Sequence, residues 1–211
     1  WAGLIFAVYA FNYLWAPIVD RVKIPWLTNK VGHRRGWIVL MQAIILISLI
    51  SWSFINPTTN LALVISIGLI IAIASATQDI TVDALRIEQI GEKEGKTMQA
   101  GAAMAVVGWW TGYKLGGVIA LTSADFFQNF GFQNYWQITF LVLGVIIIVC
   151  NIGLMFVKEV QQVDRSIEQK KTDKMIEEKL RYSNLVTKTV AWLTGTIIGG
   201  LISFFKKNGF K

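Results

Sequence analysis

The segment QDITVDALRIE, Gln78 to Glu88, decides how this chain is read. Residues 36 to 78 carry no charge at all. Asp79, Asp83, Arg86 and Glu88 then arrive in quick succession. Asp79 and Asp83 are spaced i, i+4, which puts them on one helix face. Arg86 stays close to that face. The segment therefore reads as the place where an apolar, membrane-crossing helix returns to water.

Working outward, the same alternation repeats along the chain. The 211 residues are 54% hydrophobic and 16% charged, whereas a soluble domain carries about a quarter charged residues. Five apolar spans stand out, at about 1–19, 37–55, 61–84, 98–121 and 138–157. Each is long enough to cross a ~30 Å hydrocarbon core as a helix. They lack the strict alternation of a lipid-facing barrel. The fold class expected is an all-α membrane protein.

The Lys and Arg residues sit in the gaps between spans. The gap after the first span holds Arg21, Lys23, Lys30, Arg34 and Arg35, and the gap after the third holds Arg86, Lys93 and Lys96. The tail after residue 157 is also rich in them. The gaps NPTTN (Asn56–Asn60) and 122–137 hold none. Basic gaps stay cytoplasmic, so the linker is expected inside and Trp1 outside. That places one more helix before Trp1 and makes a six-helix unit. The net charge of +7 thus follows membrane topology and does not imply nucleic acid as a partner. The lipid bilayer is the partner implied.

From Lys158 to about 185 the composition becomes that of a charged cytoplasmic linker. Residues 186–211 follow, with an apolar stripe at Val186, Val190, Leu193, Ile197, Leu201 and Phe204. That stripe suits an amphipathic helix lying at the interface, although 189–205 is also long enough to be weighed as a span. One cysteine, Cys150, and one histidine, His33, leave no intrachain disulfide and no metal cluster. No nucleophile–base pair is visible among the spans, so no catalytic residues, metal or cofactor are expected and the chain is not read as an enzyme.

Three constellations carry the functional reading. The first is DRVKIPWLTNKVGHRRGW, Asp20 to Trp37. Its charges suit either a latch between helix ends or plain topology. The second is the opening segment. With Arg86 at the boundary, Asp83 lies ~5 Å and Asp79 ~10 Å inside. A charge at depth costs about 2.5–3.5 kcal/mol even on lenient scales. Asp83 fits a boundary network with Arg86. For Asp79, that network and a proton-coupled role both stay open. The third is GWWTGYKLGG, Gly108 to Gly117. Its glycines at four-residue spacing allow close helix packing. Lys114, ~24 Å from the cytoplasmic end, either snorkels outward or faces a polar cavity and binds an anion. It is ~14 Å further out than Asp79, which argues against a static pair.

Together, FNYLWAPIVDRVKIPWLTNKVGHRRGW, SATQDITVDALRIE and GYKLGG resemble the AmpG-type muropeptide permeases of the major facilitator superfamily. The resemblance rests on Trp15, Ala16, Pro17, Asp20 and Arg21; on Gly32, Arg34 and Arg35; on Gln78, Asp79, Asp83 and Ala84; and on Gly112 and Tyr113. Lys114 stands where the family carries arginine, which keeps the charge and loses the bidentate fork.

The resemblance implies a partial N-terminal six-helix bundle, family helices two to six plus the central linker, leading toward a seventh helix. It implies a transporter completed by a C-terminal half, importing a small glycopeptide, the anhydro-muropeptide of wall recycling, with protons across a bacterial inner membrane. Within it, Asp79 is the proton-coupling candidate, and Lys114, Tyr113 and Gln78 are the substrate-binding candidates. Asp20, Arg21, Arg34, Arg35, Asp83 and Arg86 are the cytoplasmic gate network. Acetyl-coenzyme A or another anionic solute is the alternative cargo. A non-transporting membrane scaffold with a cytoplasmic interaction tail is the alternative class.

Overall fold

The computed structural model describes residues 2–55, 60–90, 95–157, 187 and 190–199. Among them every regular element is helical. In chain order they are α1 (Ala2–Phe11), a 3-10 turn (Asn12–Leu14), α2 (Ala16–Arg21), α3 (Leu27–Val31), α4 (His33–Ser53), α5 (Leu61–Ile90), α6 (Gly95–Asn129) and α7 (Tyr135–Met155). A further helix, α8, covers Val190–Gly199. The chain divides into two compact units. One comprises residues 1–12 and 24–159, the other 13–23 and 160–211. The expected linker, 158–185, and most of the expected interfacial segment, 186–211, lie outside the described residues.

The first apolar run is broken into two helices, and Pro17 explains the break. Proline has no N–H for the carbonyl four residues earlier, so it is tolerated only in a helix's first turn. It sits in the first turn of α2. The N–H groups of Ile18 and Val19 both bond the Trp15 carbonyl, at 2.9 and 3.2 Å.

In the first unit α4 and α5 form the central pair, with α1 on α5 and α6 on α7 and α5. α4 also lies against α3 and α7. Small residues set the spacing. A Cβ on Gly68 of α5 would sit 3.4 Å from the Trp52 ring, and one on Gly144 of α7 would sit 3.1 Å from Leu46. The Trp52 indole N–H donates to the Val64 carbonyl at 3.2 Å, and its ring packs on Phe140 at 5.3 Å. The buried face of α5 is correspondingly small for most of its length, with Ala72, Ala74, Ala76, Thr77 and Thr81, and gains one large residue, Leu85, near its end. Without a hydrophobic drive between helices in lipid, such close approach is what holds them together. α1 joins α5 through a 2.7 Å hydrogen bond from Tyr9 to Ser75.

Three of the described helices, α4, α5 and α7, are long and apolar enough to cross a membrane. α6 is longer, at 35 residues, but Trp109, Trp110, Lys114 and its glycines lower its hydropathy. The chain is thus an all-α, multi-pass membrane protein, and its outward apolar side chains, such as Ile148, Val149 and Ile152 on α7, are suited to lipid.

α6 ends in a turn closed by Gly131, at φ 82°. Phe132 N–H bonds the Phe127 carbonyl and Gly131 N–H bonds that of Gln128, at 3.1 and 3.0 Å. These are the paired bonds of a Schellman ending, which favours glycine. Gly32, between α3 and α4, is more demanding. Its φ of 100° and ψ of 169° lie in a region open almost only to glycine. Gly32→Ala should therefore lower stability by about 1–3 kcal/mol. The readout is the denaturation midpoint of the purified full-length protein in detergent; an unchanged midpoint would contradict the strain argument.

Candidate functional site

Gly32 delivers His33, Arg34 and Arg35 to the first turn of α4. A helix N-terminus carries a partial positive charge, so cations there are unfavourable unless they are paired. Arg34 is 2% exposed. Its Nη2 and Nε donate to Glu88 Oε1 at 2.8 and 3.1 Å. Glu88 lies in the last turn of α5, where the partial charge is negative and a carboxylate is equally misplaced. Each side chain thus opposes its own helix and neutralises the other.

The next two arginines of this unit act differently. Arg35 Nη2 donates to the carbonyl of Met155, the last residue of α7, at 3.0 Å. Terminal carbonyls have no partner inside their own helix, so a guanidinium there caps the end. Arg86 pairs with Asp83 at 3.1 Å, with side chains 26% and 53% exposed. At such exposure in water a pair contributes about 0–1 kcal/mol. Arg86 also lies 3.5 Å from the Gly101 carbonyl. Gly101 sits directly against Ile90 and the Arg86 stem, which fixes how α6 meets α5.

Asp20 and Arg21 belong to the second unit, on α2. There Arg21 Nη1 donates to Thr196 Oγ1 of α8 at 2.8 Å, and Thr196 is buried. The six expected gate residues are therefore distributed over both units: Arg34, Arg35, Asp83 and Arg86 in one, Asp20 and Arg21 in the other.

Asp79 is exposed and makes no hydrogen bond or ion pair among the described residues. It stands ~13 Å along α5 from Glu88. Gln78 beside it is half-buried. The hydroxyls of Thr77 and Thr81 are spent on carbonyls of their own helix, at 2.7 Å each.

Lys114 and Tyr113 lie in the middle of α6, where residues 106–115 are all exposed. Lys114 Nζ stands 5.9 Å from the Trp110 ring centroid, a cation–π contact between residues one turn apart. Trp109 and Tyr113 stack in parallel, with centroids 5.8 Å apart and planes inclined by 6°. Gly108, Gly112 and Gly116 face open space, so within this chain the stripe packs on nothing described.

The Gly101 contact gives a second way to set Asp79 and Lys114 against each other along the helix axes. Taking Gly101 as level with the midpoint of Arg86 and Ile90, Asp79 and Lys114 differ by only ~6 Å in depth. Direction separates them as well. At 3.6 residues per turn, Lys114 points ~140° away from the face of Gly101 that meets α5.

Glu88 is the residue the sequence reading passed over. Its signal was present: Thr81, Leu85 and Glu88 follow at i, i+4 and i+7, and Thr81 and Leu85 are buried. A carboxylate continuing a buried stripe requires a partner.

The Major Facilitator Superfamily model matches residues 2–206. The chain belongs to that superfamily. Within it, 199 residues are 31% identical to the Putative transporter AmpG 4 of Rickettsia conorii, covering 94% of this chain and 42% of that protein. Another 146-residue match is 34% identical to the Anhydromuropeptide permease of Escherichia coli, covering 69% of this chain and 28% of that relative. The Putative transporter AmpG 3 of Rickettsia typhi is 33% identical over 144 residues, 67% of this chain and 33% of its own length. The chain thus spans less than half the length of these superfamily relatives. The resemblance read from the motifs holds at this level, and the superfamily is one of transporters and not of enzymes.

The Arg34–Glu88 pair gives a stability test. Removing one partner of a fully buried pair typically costs about 3–5 kcal/mol, while replacing both by apolar groups is far milder; the Glu88 side chain is 22% exposed, which sets this pair toward the low end of that range. Arg34→Met and Glu88→Leu should each destabilise the full-length protein strongly, and the double variant should recover most of the loss. Additive losses in a denaturation cycle would show that the pair is not coupled.

Proposed function

We propose that this chain is the N-terminal half of a secondary transporter that imports anhydro-muropeptides with protons across a bacterial inner membrane. The observation that carries the cargo is the 34% identity to the Escherichia coli permease over 69% of this chain. Alternating access needs two halves around a midplane site, so a C-terminal half would complete the machine.

The geometry supports a division of labour among the acidic residues of α5. Glu88 is fixed by Arg34 and Asp83 by Arg86. Asp79 alone of the three has no such partner among the described residues. A carboxylate inside a membrane helix, with no fixed cation, is suited to taking up and releasing a proton. Asp79 is therefore the proton-coupling residue of this reading.

Lys114, Tyr113 and Gln78 are its substrate contacts. Lys114 supplies the positive charge for a carboxylate, and Tyr113 extends the aromatic surface beside it. In the first unit Arg34, Arg35, Asp83 and Arg86, now with Glu88, are the gate residues at the cytoplasmic helix ends of this reading; Asp20 and Arg21 are its gate candidates in the second unit. The linker follows on that same side.

The test is uptake of labelled anhydro-muropeptide by vesicles bearing the full-length protein. Asp79→Asn should abolish accumulation driven by a pH gradient while leaving substrate exchange intact. Lys114→Gln should raise KM about tenfold or more, the scale expected on losing a charged hydrogen bond. Wild-type gradient-driven uptake by Asp79→Asn would end the coupling role.

A further inference from the structure

The end of the first unit away from Arg34 and Glu88 holds a feature that the transport reading does not use. A cleft of about 350 Å3 opens between the last turn of α4 and the start of α7. Gln133, Asn134 and Gln137 contribute to it, with Phe54 and Phe132 among its apolar walls. No lining residue is charged.

The amides are uncommitted. None of the three makes a side-chain hydrogen bond among the described residues. Asn134 is the more telling, because it occupies the N-cap position of α7 without capping it. Asparagine there normally turns its side-chain oxygen onto the helix. Each amide offers a paired acceptor and donor. Phe54 and Phe132 are 84% and 51% exposed, leaving ring surface for a ligand.

Such a lining selects its ligand by what it lacks as well as by what it holds. Without a formal charge it offers no counter-ion to a carboxylate or an ammonium, so it gives a charged ligand no ion pair. Paired amide groups match an acetamido group and vicinal hydroxyls, and aromatic faces match the apolar face of a sugar ring. The volume is at the lower end of ligand sites, ~300–1,000 Å3, enough for one or two rings. The neighbouring gap, 122–137, has no Lys or Arg, which in the proposed topology turns the cleft outward.

We propose that this cleft is an outer docking subsite for an uncharged N-acetylated sugar, engaged before the cargo reaches the midplane. This rests on the transport reading above for its role, though not for its chemistry. Lys114 and the cleft would then divide the cargo, charge to one and neutral sugar to the other.

The experiment pairs calorimetric binding of N,N′-diacetylchitobiose to the full-length protein in nanodiscs with muropeptide uptake in vesicles. Maltose, similar in size without acetamido groups, is the control ligand. Diacetylchitobiose should bind and maltose should not. Gln137→Leu should raise the chitobiose Kd about tenfold, as expected for lost hydrogen bonds, and raise the uptake KM without changing the maximal rate. Asn134→Ala, which removes no cap, should shift both in the same direction and guards against misfolding of the first variant. Equal binding of maltose, or chitobiose binding indifferent to both variants, overturns the subsite and leaves the transport reading standing. Absent muropeptide uptake with Gln137-dependent chitobiose binding overturns the transport reading and keeps the subsite.

Discussion

The Arg34–Glu88 ion pair is the constraint around which the first unit is organised. Each charge sits at the end of its helix that electrostatics disfavours. Neither is stable there alone, so α4 and α5 must meet with these two ends side by side. That requirement fixes their antiparallel register at the basic end. At the other end Trp52, bonded to the Val64 carbonyl, fixes it again. A long helix pair clamped at both ends leaves little freedom to slide, and α7 then docks on α4 through Gly144 and Phe140.

α6 is held in a different way. It touches α5 near Gly101 and joins α7 around its far end. Between these points residues 106–115 stand clear of the described chain. The result is one tightly registered pair and one helix supported at its ends. Lys114 and Tyr113, two of the three residues proposed for cargo, are carried on the second, whereas Gln78 is on α5.

The helices and the membrane class were legible from hydropathy alone, because apolar runs of crossing length have few other uses. The motifs also carried the family. What composition could not supply was partnership. Arg34 was visible as a cation, but Glu88 was identifiable only after the buried face of α5 was phased through Thr81 and Leu85. The break at Pro17 follows from one missing N–H, a local rule that a hydropathy window averages away. The assignment of Asp20 and Arg21 to a separate unit depends on chain order in space, which no count of charges contains.

Gly32 and the two arginines after it have one more consequence. Consecutive residues on a helix point ~100° apart, so Arg34 and Arg35 address two different neighbours, α5 and α7. A tandem of like residues thus works as a two-way fastener whose aim is set by where the helix begins. Its tolerance is therefore uneven. Changes of side-chain chemistry weaken one fastening at a time. A single residue gained or lost between Gly32 and Arg34 would turn both guanidiniums off their targets together. In this loop, length is under tighter control than composition.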